Sequence, residues 1–295
     1  MGERKAMLIL HGKQATNDEV RAAVGELRER GWRLDVRLTW EAGDARRLVD
    51  EALEQGYGRL VAGGGDGTLR DVAEAMGLAR TQASLALLPL GTANDFARAA
   101  GVPLEPAAAL ALLEAPAQCI DLGRVGGQLF LNMATGGFGS QVTANTSEDL
   151  KKVLGAAAYL FTGLSRFSEL QAASVTLQGP GFHWQGALLA LGIGNGRQAG
   201  GGHVLCPDAK ADDGLLDIGI LPAPQEVVGA LRGLLAGEEL FVRARLPWVE
   251  IKCSQGLDIN LDGEPLQADS LRFEALPKAL RLHLPAGSPL LSRPG

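Results

Sequence analysis

The sequence predicts an N-terminal doubly wound α/β domain followed by a C-terminal antiparallel β-sandwich domain. Apolar strand-like segments alternate with helical patterns up to residue 122, whereas the segments from residue 123 onward are short, β-rich and punctuated by glycines. At 295 residues the chain also exceeds the size of one typical hydrophobic core. We therefore expect two domains, at residues 1–122 and 123–285.

Two kinds of apolar spacing alternate in the first domain. Ala6 to His11 is a continuous apolar run and Arg33 to Thr39 alternates, as strands do. Apolar residues recur at helical spacing after Asn17 or Asp18, either of which can cap a helix. The pattern is βαβαβ with short connections, which is typical of a doubly wound parallel sheet. The predicted strands are 6–11, 33–39, 59–62 and 85–90, and the predicted helices are 18–31, 42–55, 69–76, 96–101 and a short one within 103–116.

Short strands fill most of the second domain, which favours an antiparallel sandwich. An amphipathic helix within Ser147 to Gln171 interrupts them. Its Lys151, Lys152 and Arg166 are compatible with a lipid-facing role, but a core-facing helix is the more frequent explanation. A second helix is predicted around Gln225 to Leu235. The predicted strands are 128–133, 174–177, 183–193, 215–221, 249–254, 257–261, 271–275 and 280–284.

Composition indicates an ordinary globular protein of the cytoplasm. Hydrophobic residues make up 46% of the chain and charged residues 21%, and no apolar run is long enough to span a membrane. The N-terminus lacks a signal-peptide pattern. Cys119, Cys206 and Cys253 are widely spaced, which predicts reduced thiols and no disulfide framework or zinc site. The net charge of −6 argues against nucleic-acid partners and against strong adhesion to anionic lipid.

The strongest chemical signal is a glycine-rich turn between a strand and a helix, Gly63-Gly64-Gly65-Asp66-Gly67-Thr68. Glycine lets backbone N–H groups point at a ligand, and a helix N-terminus attracts anions. The turn is neither a P-loop nor a GxGxxG motif. An ordinary turn with Asp66 or Thr68 as N-cap is the alternative. That alternative needs only one glycine, so phosphate binding is favoured.

A second strand-to-helix turn, Gly91-Thr92-Ala93-Asn94-Asp95, repeats this chemistry. Taken alone, it is best explained by Asn94 or Asp95 acting as a helix cap. Ligands gather at the carboxyl ends of parallel strands, so both turns are expected to face one crevice. Two such turns on one edge favour a nucleotide-binding cleft.

Three segments of the second domain carry weaker signals. Asp262-Gly263-Glu264 suits a turn that presents a carboxylate as general base, but a solvated Asp-Gly hairpin turn is the better explanation without other information. The acidic loop from Asp208 to Asp217 suits Mg²⁺ or Ca²⁺, although its spacing is not that of an EF-hand. In the glycine-rich segment from Gly192 to Gly202, Arg197 is suited to a phosphate. No GxSxG or HExxH motif is present.

Several of these strings together resemble one family. Gly64-Gly65-Asp66-Gly67-Thr68 is similar to the GGDGT signature of diacylglycerol-kinase-like lipid kinases. This string alone is weaker, because NAD kinases and phosphofructokinases carry similar ones. The others resemble the bacterial YegS-like branch, come in its order and span nearly the whole chain. They are residues 89–96, 132–139, 194–202 and 261–266.

The resemblance implies a nucleotide domain and a β-sandwich lipid domain with the active site in the cleft between them. It also implies that the C-terminal tail, residues 286–295, returns to the first domain. Glu264 would be the proton acceptor for a lipid hydroxyl, and Asp66 would be able to assist it through the metal. A structural Mg²⁺, with Ca²⁺ as the alternative, would be bound by Lys210, Asp213 and Leu215, largely through main-chain oxygens. The residues implied to hold ATP are Thr39, Gly64, Gly65, Asp66, Gly67, Thr68, Leu69, Arg70, Asp71 and Thr92.

One departure concerns the residues after GGDGT-x, where the family commonly has Asn-Glu and this chain has Arg70-Asp71. We expect Asp71 to keep the charge and Arg70 to add a cation near the phosphates, which tunes the activity without abolishing it.

The reaction implied is transfer of the γ-phosphate of ATP to a hydroxyl of a diacylglycerol- or phosphatidylglycerol-like lipid, with alignment and charge neutralisation as the main tasks of the protein. Such a protein would serve phospholipid metabolism from the cytoplasm and contact the inner face of the membrane transiently. Two other functions stay open at this point: a soluble-metabolite kinase of the NAD-kinase or phosphofructokinase type, and a non-catalytic nucleotide or lipid sensor.

Overall fold

The computed structural model describes residues 4–137, 174–223 and 240–292. The amphipathic helix predicted within 147–171 and the helix predicted at 225–235 lie outside these residues. The α-helices are α1 (Asp18–Glu29), α2 (Asp44–Glu54), α3 (Asp66–Ala79), α4 (Asp95–Ala100) and α5 (Pro106–Ala111). The strands are β1 (Lys5–His11), β2 (Arg33–Thr39), β3 (Arg59–Gly64), β4 (Ser84–Pro89), β5 (Gln118–Val125), β6 (Gln128–Phe130), β7 (Met133–Gly137), β8 (Ser174–Gly179), β9 (Phe182–Gly194), β10 (Gln198–Ala199), β11 (His203–Val204), β12 (Leu216–Pro222), β13 (Val242–Leu246), β14 (Trp248–Leu261) and β15 (Glu264–Leu282).

The first four strands form a parallel sheet in the order β2-β1-β3-β4. Alternate residues of β1 enter two different cores: Met7 and Ile9 pack with α2, α3 and α4, whereas Leu8 and Leu10 pack with α1 and α5. Both faces of the sheet are therefore covered by helices, which explains why its strands are nearly continuous apolar runs. The predicted doubly wound domain is confirmed, and β2 has the predicted bounds.

An antiparallel sandwich follows, as predicted. Strands β7, β14, β8 and β9 pair in a closed ring, and β12 and β13 extend it from β9. The ring encloses an apolar core that includes Val175, Ile193, Val249 and Phe273. Closing the strands on one another removes most of the free sheet edges that would otherwise expose unpaired backbone groups.

Two predictions about strands in the second domain were wrong. The single strand predicted at 128–133 is divided into β6 and β7, because the N–H groups of Leu131 and Asn132 donate to the Asp262 carboxylate and are lost to a ladder. The two strands predicted at 249–254 and 257–261 are one strand, β14, whose register shifts between Lys252 and Leu257. A bulge of this kind bends a strand without ending it.

The last strand, β15, joins the two sheets, although the sequence predicts two short strands at 271–275 and 280–284. Both parts pair with β5, and the register shifts between Leu276 and Leu280. Within that shift Lys278 has a positive φ of 56°, and its N–H donates to Asp121 Oδ1 at 2.8 Å. At its end β15 pairs with β4 in the parallel sense, with Leu282 opposite Leu85.

The residues after β15 lie against the first domain. Ser288 Oγ donates to the carbonyl of Ala100 at 2.7 Å, and Leu290 is fully buried in the apolar cluster that contains α4. None of the helices within the described ranges combines the length and the apolar character that crossing a membrane requires.

His283 is a buried histidine that fastens the end of β15 to the first sheet. Its Nδ1 bonds the carbonyl of Ala115 at 2.8 Å, and its Nε2 lies 2.8 Å from Ser84 Oγ. Because a carbonyl only accepts, Nδ1 carries the proton and Nε2 accepts from the hydroxyl. Burial lowers the pKa of His283 below its usual value, so the folded protein holds this ring neutral.

We predict that His283 makes the free energy of unfolding fall as the pH is lowered from 7 to 5. The unfolded chain protonates a free histidine near pH 6.5, whereas the folded chain resists protonation, so this contribution is complete above that pH and is lost as the pH falls through the folded pKa. Urea unfolding of His283→Gln at both pH values should show lower stability at pH 7 and a smaller loss towards pH 5. The exposed His183→Gln is the matched control. Equal losses in wild type and His283→Gln would contradict the prediction.

Candidate functional site

The glycine-rich turn leaves the first turn of α3 uncapped. Strand β3 ends at Gly64, Gly65 is the N-cap, and within the described residues no side chain bonds the helix start. The alternative interpretation, in which Asp66 or Thr68 caps the helix, is therefore wrong, because the helix begins at Asp66. The first backbone N–H groups of a helix have no partner inside it, so an uncapped start presents donors to an anion.

Gly67 is the second residue of α3, and its presence weakens the helix. A Cβ built on Gly67 meets no heavy atom of the described residues within 4 Å, and the residue is exposed. Glycine in a helix costs roughly 0.5–1 kcal/mol relative to alanine. The protein itself leaves room for a side chain at this position, so packing within the described residues does not explain the glycine.

The second glycine turn lies directly against the first. A Cβ on Gly91 would lie only 2.6 Å from the Cα of Gly65, so the two backbones approach as closely as two glycines permit. Leu90 N–H donates to the carbonyl of Gly64 at 2.8 Å, and Phe96 N–H donates to Asp66 Oδ1 at 3.3 Å. One oxygen of Asp66 therefore bonds the start of α4.

The two threonines implied to line the ATP site lie on the same edge of the sheet. Thr39 ends β2 and is opposite His11 of β1, so one strand separates it from β3; at roughly 4.8 Å between strands, Thr39 is about 10 Å from the glycine turn. Thr92 follows Gly91, whose N–H and carbonyl are both bonded by the side-chain amide of Asn94, at 3.0 and 2.7 Å.

The side chain of Asp262 holds the hairpin turn between β14 and β15 in place. Its Oδ2 accepts from the N–H groups of Leu131 (2.7 Å) and Asn132 (3.0 Å), and its Oδ1 accepts from Met133 N–H (2.7 Å). Asp262 and Gly263 both have positive φ, 46° and 106°, as a tight hairpin turn of this type requires. The explanation as a solvated turn was therefore wrong for Asp262, whose carboxylate is fully engaged with backbone donors.

Glu264 begins β15 and faces α3. Its side chain is 60% exposed, and Oε1 lies 2.9 Å from a terminal nitrogen of Arg70. The Nε of Arg70 donates to Asp71 Oδ1 at 3.0 Å. Arg70, which the sequence suggested as a cation near the phosphates, is thus paired with two carboxylates. The structure brings Glu264 to the beginning of the helix that follows the glycine turn.

A cavity of about 370 Å³ lies between α3 and α4 on one side and the sandwich on the other. Polar groups in its wall include Asp66 and Arg70 from α3 and Asp262 from the hairpin turn. Thr39, Thr92 and Glu264 are not among the described residues that line it, although Gly263, which precedes Glu264, is. The apolar part of the wall is formed by Leu69, Phe96, Leu131, Met133, Leu191 and Leu205.

Sequence reasoning missed the contact that closes the cavity towards the glycine-rich segment after β9. Asp95 Oδ2 accepts from Gly201 N–H at 2.9 Å, and His203 of β11 also lines the cavity. Asp95 belonged to a recognised turn, but its partners, Gly201 N–H and the Gln198 side-chain amide, lie 106 and 103 residues away, beyond the reach of a local pattern. Arg197, suggested as a phosphate contact, donates instead to the carbonyls of Ala209 (3.1 Å) and Pro289 (2.6 Å).

The residues implied to hold a metal lie in the loop before β12. Lys210 Nζ donates to the carbonyls of Pro289 (2.7 Å) and Leu291 (3.2 Å). Asp213 Oδ1 accepts from Leu215 N–H at 3.0 Å, and its other oxygen pairs with Arg245. Among the described residues no group of three or more His, Cys, Asp or Glu side chains is arranged to hold a metal, so an ion here depends on main-chain oxygens.

The field around this loop is negative. Burial raises the pKa of Asp217 to about 6; Arg245 opposes this, and the charges of Asp213 and Asp208 add to it. One oxygen of Asp217 is buried without a hydrogen-bond partner among the described residues. Arg245 pairs with both Asp213 and Asp217 and compensates part of their charge. Carboxylates beside main-chain carbonyls are the oxygen donors that a hard divalent cation prefers, so these residues fit Mg²⁺ or Ca²⁺.

Two family models match successive parts of this chain. Residues 5–125 match the family model described as "Diacylglycerol kinase catalytic domain", and residues 133–284 match "YegS C-terminal NAD kinase beta sandwich-like domain". A protein of Pseudomonas putida named "Probable lipid kinase YegS-like" is 82% identical over 100% of both chains. One of Pseudomonas aeruginosa with the same name is 69% identical over 100% of this chain and 99% of its own.

The fold also matches a solved structure. The crystal structure of a diacylglycerol kinase from Bacillus anthracis superposes with a TM-score of 0.75, at 20% sequence identity, over 98% of this chain and 99% of that one. At this identity the likeness shows the fold alone.

We predict that Asp262→Ala lowers the free energy of unfolding by at least about 3 kcal/mol, because it removes three hydrogen bonds to a charged group and leaves their donors unpaired. Urea denaturation measures the change. Asp258→Ala, an exposed aspartate on β14, is the matched control and should change stability little. Similar losses in the two variants would mean that the Asp262 contacts do not hold the turn.

Proposed function

This chain belongs to the family of YegS-like lipid kinases, and we propose that it transfers the γ-phosphate of ATP to a hydroxyl group of a diacylglycerol- or phosphatidylglycerol-like lipid. The observation that carries the proposal is the meeting of two walls at one cavity. One wall is an uncapped helix start behind glycines, and the other is the hairpin turn, whose Asp262 and Gly263 line the cavity and whose next residue is Glu264. We assign residues 1–122 to ATP, residues 123–285 to the lipid, and the tail at 286–295 to the first domain.

The phosphates of ATP would be bound by the backbone N–H groups at the start of α3. These donors are fixed before the nucleotide arrives, and in phosphoryl transfer most of the rate enhancement comes from such positioning and charge stabilisation. Asp66 would help to keep this wall in shape, since it bonds the first turn of α4. The residues proposed for the ATP site are Thr39, Gly64, Gly65, Asp66, Gly67, Thr68, Leu69, Arg70, Asp71 and Thr92.

Glu264 would accept the proton of the attacking hydroxyl. It is the exposed carboxylate of the hairpin turn, whereas Asp262 beside it is engaged with three backbone donors. A general base must be held within hydrogen-bond reach of the proton that it takes, and it typically contributes 10²–10⁴-fold to the rate. The rigid turn beneath Glu264 provides that fixed position.

The acceptor would enter the apolar part of the cavity. A volume of about 370 Å³ accommodates a glycerol backbone and the first part of an acyl chain, and six leucine, methionine and phenylalanine side chains form the apolar part of its wall. Apolar pockets discriminate weakly between similar chains, so the cavity supports a lipid class and not one lipid. The names of the relatives also favour a lipid over NAD or a sugar phosphate.

Lys210, Asp213 and Leu215 would hold a structural Mg²⁺, or Ca²⁺, largely through main-chain oxygens. Bound there, the ion would neutralise the acidic loop and stiffen the entry to β12. We further propose that the protein works in the cytoplasm and contacts the inner face of the membrane transiently, in phospholipid metabolism. The free thiols of Cys206 and Cys253, both buried, are consistent with a reducing compartment.

We predict that Glu264→Gln lowers the rate of phosphate transfer to lipid by a factor of roughly 10² or more, while ATP binding survives. The assay presents labelled ATP and Mg²⁺ with micelles of several lipids, and with NAD and sugar phosphates in parallel, and identifies products by mass. Glu274→Gln is the matched control, since Glu274 lies on the same strand and is paired with Arg124 outside the cavity. Near-normal turnover of Glu264→Gln would remove it as the base, and phosphorylation of NAD or sugars alone would refute the lipid assignment.

A further inference from the structure

The two walls of the cavity are connected by Arg70, a residue of the proposed ATP site whose contacts in the structure point to a different task. Arg70 follows the glycine turn on α3, and its guanidinium contacts Glu264 of β15 at 2.9 Å across 194 residues of sequence. Only 14% of its side chain is exposed, against 60% for Glu264. A long cationic side chain loses conformational entropy when it is held in this way, and this unfavourable contribution to folding calls for an explanation.

All three nitrogens of the guanidinium group point at carboxylates. Nε and one terminal nitrogen donate to Asp71 Oδ1, and the other terminal nitrogen donates to Glu264 Oε1. Asp71 therefore fixes the plane of the group, and the other terminal nitrogen is aimed at Glu264. The planar fork of arginine is suited to this two-sided contact, whereas a lysine or an asparagine makes only part of it.

We infer that Arg70 is a positioning residue that orients Glu264 towards the acceptor, an inference that rests on the proposed function. The bond to Arg70 occupies Oε1, and among the described residues no other group bonds the Glu264 carboxylate. The second oxygen, Oε2, is then left for the lipid hydroxyl. Because Arg70 lines the cavity from α3, it couples the position of the base to the helix that follows the phosphate-binding turn.

This role differs from that of a phosphate ligand, which is the other task open to a cation beside a nucleotide site. A phosphate ligand would direct its guanidinium at the γ-phosphate, whereas three of the five N–H groups of Arg70, with at least one from each nitrogen, bond two carboxylates. The two roles give opposite results for ATP affinity. They also differ in whether the effect of replacing Arg70 depends on Glu264.

The test is a double-mutant cycle between Arg70→Gln and Glu264→Asp, with kcat measured in the lipid assay and ATP affinity measured by calorimetry. In the wild-type background Arg70→Gln should lower kcat by about tenfold or more, because a misplaced base loses rate steeply. ATP affinity should change by less than about threefold and the unfolding midpoint should hardly move. In the Glu264→Asp background, where the shorter side chain has already broken the contact, Arg70→Gln should cost less than about twofold.

The matched control is Arg124→Gln, which removes an ion pair to Glu274 of β15 outside the cavity. It should leave kcat unchanged in both backgrounds. An equal loss from Arg70→Gln in both backgrounds, or ATP affinity weakened by more than about tenfold, would overturn the positioning role. If either of these results is found and Glu264→Gln is inactive, only the positioning role of Arg70 fails and Glu264 stays the base. A fully active Glu264→Gln would refute the proposed function itself.

Discussion

The carboxylate of Asp262 is the contact on which the shape of the cleft depends. It accepts hydrogen bonds from the N–H groups of Leu131, Asn132 and Met133, so these groups need no partner on a neighbouring strand. By doing so it separates β6 from β7 and holds the hairpin turn against the strands that enter the sandwich. Backbone donors that are taken out of a ladder must be bonded elsewhere, and a single ionised side chain meets that requirement here. Glu264 follows two residues later, so its position depends on the hydrogen bonds of Asp262.

The opposite wall depends on glycine in a different way. Gly65 and Gly91 bring two strand-to-helix turns into backbone contact, and the Asp66 carboxylate bonds the second helix at its start. The result is a stiff edge of sheet with unpaired N–H donors. Arg70 and the end of β15 connect this edge to the sandwich, so the proposed base and the proposed phosphate site are positioned by the same framework.

Much of this architecture follows from local sequence patterns. The contacts that do not follow from them join residues far apart in the chain. The alternation in Arg33 to Thr39 and the apolar run before Gly64 are read directly as strands, because burial on one or both faces dictates their composition. The Asp262 anchor joins residues about 130 positions apart, and no local pattern reports it. The same holds for Arg70 and Glu264. β15 looked like two strands because the interruption at Lys278 resembles a turn, and only its pairing with β5 shows that the strand continues.

The central claim, that the glycine turn holds the phosphates of ATP, is tested most directly by the ATP affinity of Gly67→Val. The space around Gly67 is open and valine is a better helix residue than glycine, so the fold should tolerate the change. Gly25→Val, at an equally open glycine within α1, controls for the effect of the side chain on a helix. We expect calorimetry to show ATP binding weakened at least about tenfold for Gly67→Val alone, with an unfolding midpoint at or above that of the wild type. Unchanged ATP affinity in that variant would contradict the claim.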